Sequence, residues 1–285
     1  FGYLMVVPAT LLLVVVSIIP LLDGVYLAFT NTNLNTGADA WVGIQNFVEI
    51  FQDSKFYQVF GFTILYAFAV VLFSYILGML IALLLNQDIR FRGVFRAIIL
   101  APWVVPPVVA TITWSWLLND KVGLINTVLQ NIGMIQEPIY FLSDLTLVKG
   151  TVIAFGVWKS YPFMMITLLA GMQSIDGVLY EAAKIDGANE FQVFTKICIP
   201  ICKGVITTCA ILVFMDYWNM VEQPLLFFND TDKYPLSIFL SKINAQEVGL
   251  AFAVATFYMI PSLLIFLYGE DQLVEGIAYQ GGVKG

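Results

Sequence analysis

The chain has no histidine at all, and only 12% of its 285 residues are charged. The first absence removes a common proton-relay and metal-ligating group. The second says more. A soluble domain has roughly a quarter of its residues charged, whereas here 60% are hydrophobic and the mean hydropathy is strongly positive. Most of the surface is therefore solvated by acyl chains. A length that would allow one or two soluble domains is read instead as a single polytopic membrane domain, residues 1–285. Cysteine is also scarce. Cys198, Cys202 and Cys209 are odd in number and lack C-x-x-C spacing, so they read as apolar or interfacial thiols, with no disulfide framework and no metal site. No G-x-x-x-x-G-K-[ST] phosphate loop occurs, so the chain is not itself an ATPase of that kind. No cluster of nucleophiles, bases or metal ligands suggests a membrane enzyme. The net charge of −7 argues against a nucleic-acid partner. The first residue is Phe1, not Met, so an upstream segment is expected.

What is abundant is long apolar runs. A membrane helix needs about 20 mostly apolar residues, and six stretches meet this: Leu4 to Phe29, Phe60 to Leu85, Ala97 to Leu118, Leu147 to Met172, Val205 to Val221 and Leu250 to Tyr268. Each is expected to be helical, because backbone groups cannot stay unpaired in lipid. Pro20, Pro102, Pro106, Pro107, Pro162 and Pro261 fall inside these stretches, and each favours a kink by removing a hydrogen bond. The short loops give the orientation. Arg90, Arg92, Arg96, Lys184, Lys196, Lys203 and Lys284 lie on one side, against Lys55, Lys121, Lys149, Lys233 and Lys242 on the other. That bias places both termini in the cytoplasm of a bacterial or archaeal cell. The Asn229-Asp230-Thr231 sequon is then incidental.

Two charges lie near the middle of spans, where they are costly and face a cavity or a partner. Lys159 sits near the middle of the fourth span and Asp216 near the middle of the fifth, at similar depth. One reading pairs them as ions that fix the two spans together, since an unpaired buried charge costs several kcal/mol after relaxation. The other has both lining a substrate path. Tyr161, Tyr217, Trp218, Asn219 and Glu222 are the neighbouring candidates, with aromatic faces and polar groups suited to sugar rings. Trp218 and Glu222 also fit the interfacial belt. If Lys159 is free, it could attract an acidic sugar such as a uronate.

The most specific pattern is cytoplasmic, within the loop 176–200. From Tyr180 to Pro200 the sequence reads YEAAKIDGANEFQVFTKICIP. Tyr180 to Ile185 is predicted to form a short helix, Gly187 a sharp turn, and Phe191 to Ile197 a second short helix ending near Pro200. The spacing Glu181-Ala182-Ala183, Gly187, Ile197, Ile199-Pro200 resembles the EAA loop of binding-protein-dependent ATP-binding-cassette importers, with Ile199 where Leu is usual. The resemblance extends along most of the chain. Trp41-Val42-Gly43-Ile44-Gln45-Asn46-Phe47, Arg92-Gly93-Val94-Phe95-Arg96 with Pro102 and Pro106, Trp114-Ser115-Trp116, and the ending Gly281-Gly282-Val283-Lys284-Gly285 are similar to the maltose/glycerol-phosphate/oligosaccharide permease family. The first permease subunit is the better match, although Trp218-Asn219 resembles the second.

The resemblance implies an all-α polytopic protein of the type I importer fold, with six transmembrane helices and a cytoplasmic EAA coupling helix. It implies a permease subunit that moves a carbohydrate, an oligosaccharide, into the cell by alternating access driven by a separate ATPase. It implies as partners a second permease in a heterodimer, two ATPase subunits that bind ATP and Mg, and an outer solute-binding protein, with no cofactor in this chain. Glu181, Ala182, Ala183, Asp186, Gly187 and Ala188 would carry the coupling to the ATPase. The rival is an ion-coupled secondary sugar transporter, which would want internal repeats and broken helices near the midplane. No convincing repeat is present.

Overall fold

All the helices below come from a computed structural model that describes residues 2–37, 39–228, 236–237 and 247–281; side chains of residues 2–3, Leu145, Lys184, Glu190, Glu222 and 275–281 are outside that description. In chain order the helices are α1 (Leu4–Leu27), α2 (Gln45–Gln52), α3 (Ser54–Asn86), α4 (Arg92–Val104), α5 (Pro107–Leu117), α6 (Leu124–Asn131), α7 (Leu145–Gln173), α8 (Gly177–Ile185), α9 (Phe191–Ile201), α10 (Lys203–Trp218), α11 (Glu222–Phe227) and α12 (Val248–Gly281). Among the described residues, α1, α3, α7 and α12 are each long and apolar enough to cross a membrane. The pairs α4–α5 and α9–α10 bring the total to six if each bent pair is one span.

The third span departs from the sequence expectation of one helix over 97–118. It is two helices meeting at 91°, because Val105 and Pro106 are extended, with ψ of 131° and 135°. The residue before a proline is driven out of the helical region, and two consecutive prolines leave no way to continue. The fifth span also differs. The helix α10 stops at Trp218, and it meets α9 at 70° across Cys202. The fourth span is close to expectation, with Asp144 capping it by accepting from the N–H groups of Thr146 and Leu147, both at 2.9 Å.

The chain forms two compact units, Phe1–Phe62 with Tyr234–Leu263, and Thr63–Lys233 with Leu264–Gly285. In the first, no residue in the most apolar stretch of α1 is buried, as suits a helix solvated by lipid. Its far end is tied down by the Trp41–Phe47 segment. Asn46 donates to the carbonyls of Ala28 and Thr30 at 2.9 and 2.8 Å, satisfying acceptors left open where the helix ends. Trp41 stacks on Phe29 with centroids 5.4 Å apart. Phe51, Phe56 and Phe60 surround Phe257 at 5.2–5.5 Å.

In the second unit α7 is the central post. Its Gly156 meets Val70 and Tyr217 so closely that a Cβ there would lie 2.8 and 2.9 Å from them, and Gly78 of α3 meets Met164 in the same way at 2.8 Å. Ser74 and Ser160 share a hydrogen bond of 2.6 Å. Without a hydrophobic force between helices in lipid, such small-residue contacts and interhelical hydrogen bonds set the packing. The free thiols Cys198, Cys202 and Cys209 are buried.

Candidate functional site

Two features of the second unit carry chemistry. The first is the knuckle formed by α8 and α9. Asp176 starts α8 by accepting from the Val178 N–H at 3.0 Å. The helix closes on Gly187, whose φ is +76°. Asp186 N–H bonds Ala182 and Ala188 N–H bonds Ala183, at 3.0 and 2.9 Å. The second of these is the six-to-one bond of a Schellman cap, with glycine at its left-handed position. The next helix begins at once with a capping box that sequence reading missed, although Asn-x-x-Gln is its signal. Asn189 accepts from Gln192 N–H at 2.8 Å, and Gln192 accepts from Asn189 N–H at 3.0 Å. The EAA spacing is thus the sequence of a stop, a turn and a restart.

Glu181, Ala182, Asp186 and Gly187 are exposed on this knuckle, Ala188 is half-buried, and Ala183 is turned inward. Of the two alanines, only Ala182 offers its face to a partner. Beside them stand two apolar residues that the sequence reading did not single out, Ile185 at 86% and Phe191 at 72% exposed. Both lie outside the four straight membrane-crossing helices. Behind the knuckle, the Tyr180 hydroxyl reaches Cys198 Sγ at 3.4 Å and the Met172 carbonyl at 3.5 Å, tying α8 to α9 and to the end of α7. Burial, and then the hydrogen bond with Cys198, pushes that phenol well above its ordinary range, so it stays neutral.

The second feature is a cavity of about 560 Å³ beside the break between α4 and α5. It is lined by Trp103, Lys159, Asp216, Tyr217, Asn219 and Gln223 among others. A helical N–H bonds the carbonyl four residues back, and proline has no N–H. Pro106 and Pro107 therefore leave the carbonyls of Pro102 and Trp103 without their usual donors. The Lys159 ammonium supplies them, at 2.7 and 2.9 Å, and also donates to the Val105 carbonyl. An ammonium has three donors, so all are engaged.

The ion-pair reading of Lys159 and Asp216 is thereby corrected. Among the described residues no ion pair joins them, and the cation is spent on helix carbonyls. Asp216 is exposed towards the cavity. Tyr217 forms part of the wall, its hydroxyl bonded to the Gly156 carbonyl at 2.9 Å. Gln223 is fully buried and accepts from Tyr66 at 2.9 Å. Tyr161 and Trp218 lie elsewhere. Two residues along a helix turn a side chain about 200° around its axis, so Tyr161 lines an apolar groove between α3 and α7, and Trp218 is buried on Phe214 at 5.3 Å. The Glu222 side chain is outside the described residues.

The family described as "Binding-protein-dependent transport system inner membrane component" matches residues 74–274, which include both features. The chain belongs to this family. Membership makes the binding-protein-dependent permease a transport component of the inner membrane, and it sets aside the secondary-transporter alternative. The trehalose/maltose transport system permease protein MalF of Thermococcus litoralis is 34% identical over 273 residues, covering 93% of this chain and 91% of that protein. The maltodextrin transport system permease protein MdxF of Bacillus subtilis is 31% identical, over 81% of this chain and 56% of that longer protein. A solved bacterial alginate ABC transporter, in complex with alginate pentasaccharide-bound periplasmic protein, superposes with a TM-score of 0.79 at 24% identity, covering 94% of this chain and 91% of that one. The permease therefore has the type I importer fold.

Proposed function

We propose that this permease is one of two transmembrane subunits of an ATP-driven carbohydrate importer, most simply a heterodimer, with both termini in the cytoplasm. Two separate ATPase subunits bind ATP and Mg and press on the α8–α9 knuckle. An outer solute-binding protein delivers an oligosaccharide to the cavity beside the broken span. The chain itself needs no cofactor. The observation that carries this reading is the knuckle. Ile185 and Phe191 stand exposed around a Schellman turn built from the EAA residues, and apolar side chains so placed are suited to a groove on another protein. The names of the relatives support a sugar as cargo, since they transport trehalose, maltose or maltodextrin.

The cavity favours a saccharide without net negative charge. Lys159 has no donor left for a carboxylate, while Asp216 faces the cavity and repels one. The test is reconstitution of the whole assembly in liposomes, with uptake followed for a panel of neutral and uronate oligosaccharides. ATP-dependent uptake of neutral sugars is expected. Uptake driven by an ion gradient without ATP overturns the importer reading, and ATP-driven uptake confined to uronates overturns only the charge preference.

A further inference from the structure

We propose that Lys159 is a positioning residue for transport: its ammonium stands in for the two N–H groups that Pro106 and Pro107 lack, and so holds the third span broken at the cavity wall. The argument starts from the accounting of backbone acceptors. Away from water, a carbonyl without a donor costs free energy comparable to a lost hydrogen bond. The acceptors at issue are those that a continuous helix would have bonded to residues 106 and 107. Lys159 reaches both from α7, with its side chain only 7% exposed. A cation is also favoured at a helix C-terminus, where the backbone dipoles converge.

The match is reciprocal. The prolines create the acceptors that make a buried ammonium tolerable, and the ammonium makes the break tolerable in lipid. At its other end α4 lies against the same helix: with the Gln173 amide oriented so that its carbonyl faces the two guanidinium groups, it accepts from Arg92 and, at 3.0 Å, from Arg96. The helix α4 is thus fastened to α7 at both ends. Trp103 and Val105, whose carbonyls Lys159 holds, line the cavity. Lys159 acts on the solute through this wall and does not contact it with a donor of its own.

The test is a mutant cycle in the assembled, reconstituted transporter. It compares Lys159→Met, the double variant Pro106→Ala/Pro107→Ala, and the triple variant. Thermal unfolding and solute moved per ATP hydrolysed are both measured. Lys159→Met alone is expected to lower the unfolding temperature and to cut the transport ratio more than tenfold. The proline variant, with its N–H groups restored and its ammonium left without acceptors, also unfolds earlier. In that background the loss from Lys159→Met should vanish or reverse, while the transport ratio stays low because the straightened span no longer forms the wall. An equal loss of stability from Lys159→Met in both backgrounds overturns the proposal, as does a wild-type transport ratio for Lys159→Met. Should Lys159→Met fail to insert, insertion of the triple variant supports the proposal and its failure overturns it. The unfolding arm reads the cap whatever the cargo, so its failure is distinct from failure of the proposed function.

Discussion

Gly187 holds a φ of +76° in open space, with nothing within 4 Å of where a Cβ would stand. Any penalty for a side chain there is therefore backbone strain alone, roughly 1–3 kcal/mol for a bulky residue in the left-handed region. Gly187→Val should leave the protein in the membrane but abolish ATP-driven uptake, because the knuckle loses its shape. Asparagine visits that region readily, so Gly187→Asn should keep most of the activity. Uptake assays on the two variants decide the matter, and undiminished transport by Gly187→Val would count heavily against a coupling role. Lys159 teaches the opposite lesson at the same scale. Its chemistry is set by three carbonyls at and just beyond the end of another helix, and nothing adjacent to it in the chain announces them.

At the scale of the element, proline has three different outcomes in this chain. Val14–Ile18 and Phe194–Cys198 are π-helical, and each is followed by an Ile-Pro pair. In both, the isoleucine N–H reaches back five residues, from Ile19 to Val14 and from Ile199 to Phe194. The wider turn keeps donors matched where the proline has none. Pro162 and Pro261 sit inside continuous helices, as membrane helices tolerate when neighbours re-satisfy the backbone. Among the described residues, only the Pro106-Pro107 pair gives a right-angled break. The knuckle is the second lesson. Its residues are arranged by local caps, so its exposed apolar side chains can be changed without unfolding it. Ile185→Asp with Phe191→Asp is expected to leave the unfolding temperature unchanged. Co-purification of the ATPase should fall more than tenfold, as for anchors at the centre of an interface. Full retention of the ATPase by this variant would place the docking surface elsewhere.

At the scale of the whole molecule, packing depends on a few places where backbones nearly touch. A side chain at Gly78 would put its Cβ 2.8 Å from Met164 Cβ and 3.0 Å from the Met165 backbone nitrogen. Neither can swing aside. Gly78→Val should cost about 1–3 kcal/mol as overpacking and show a clear drop in unfolding temperature. Gly93→Ala, at a helical position with nothing within 4 Å, should be neutral or slightly stabilising. Equal unfolding temperatures for Gly78→Val and wild type would mean that α3 and α7 are not packed as described.

The sequence alone determined that the chain is helical and membrane-embedded, because hydropathy and the need to pair every backbone group in lipid admit little else. It also determined the stop and turn of the knuckle between Ala182 and Gly187, because these are local events within reach of neighbouring residues, as is the capping box at Asn189 and Gln192. Tertiary structure alone decided what the charges in the spans do. Which carbonyls a lysine meets, and whether the carboxylate on α10 is near it, depend on how α4, α7 and α10 come together. The same holds for the candidate aromatics, since the direction in which Tyr161 and Trp218 point has no consequence until a neighbouring helix gives each face an occupant.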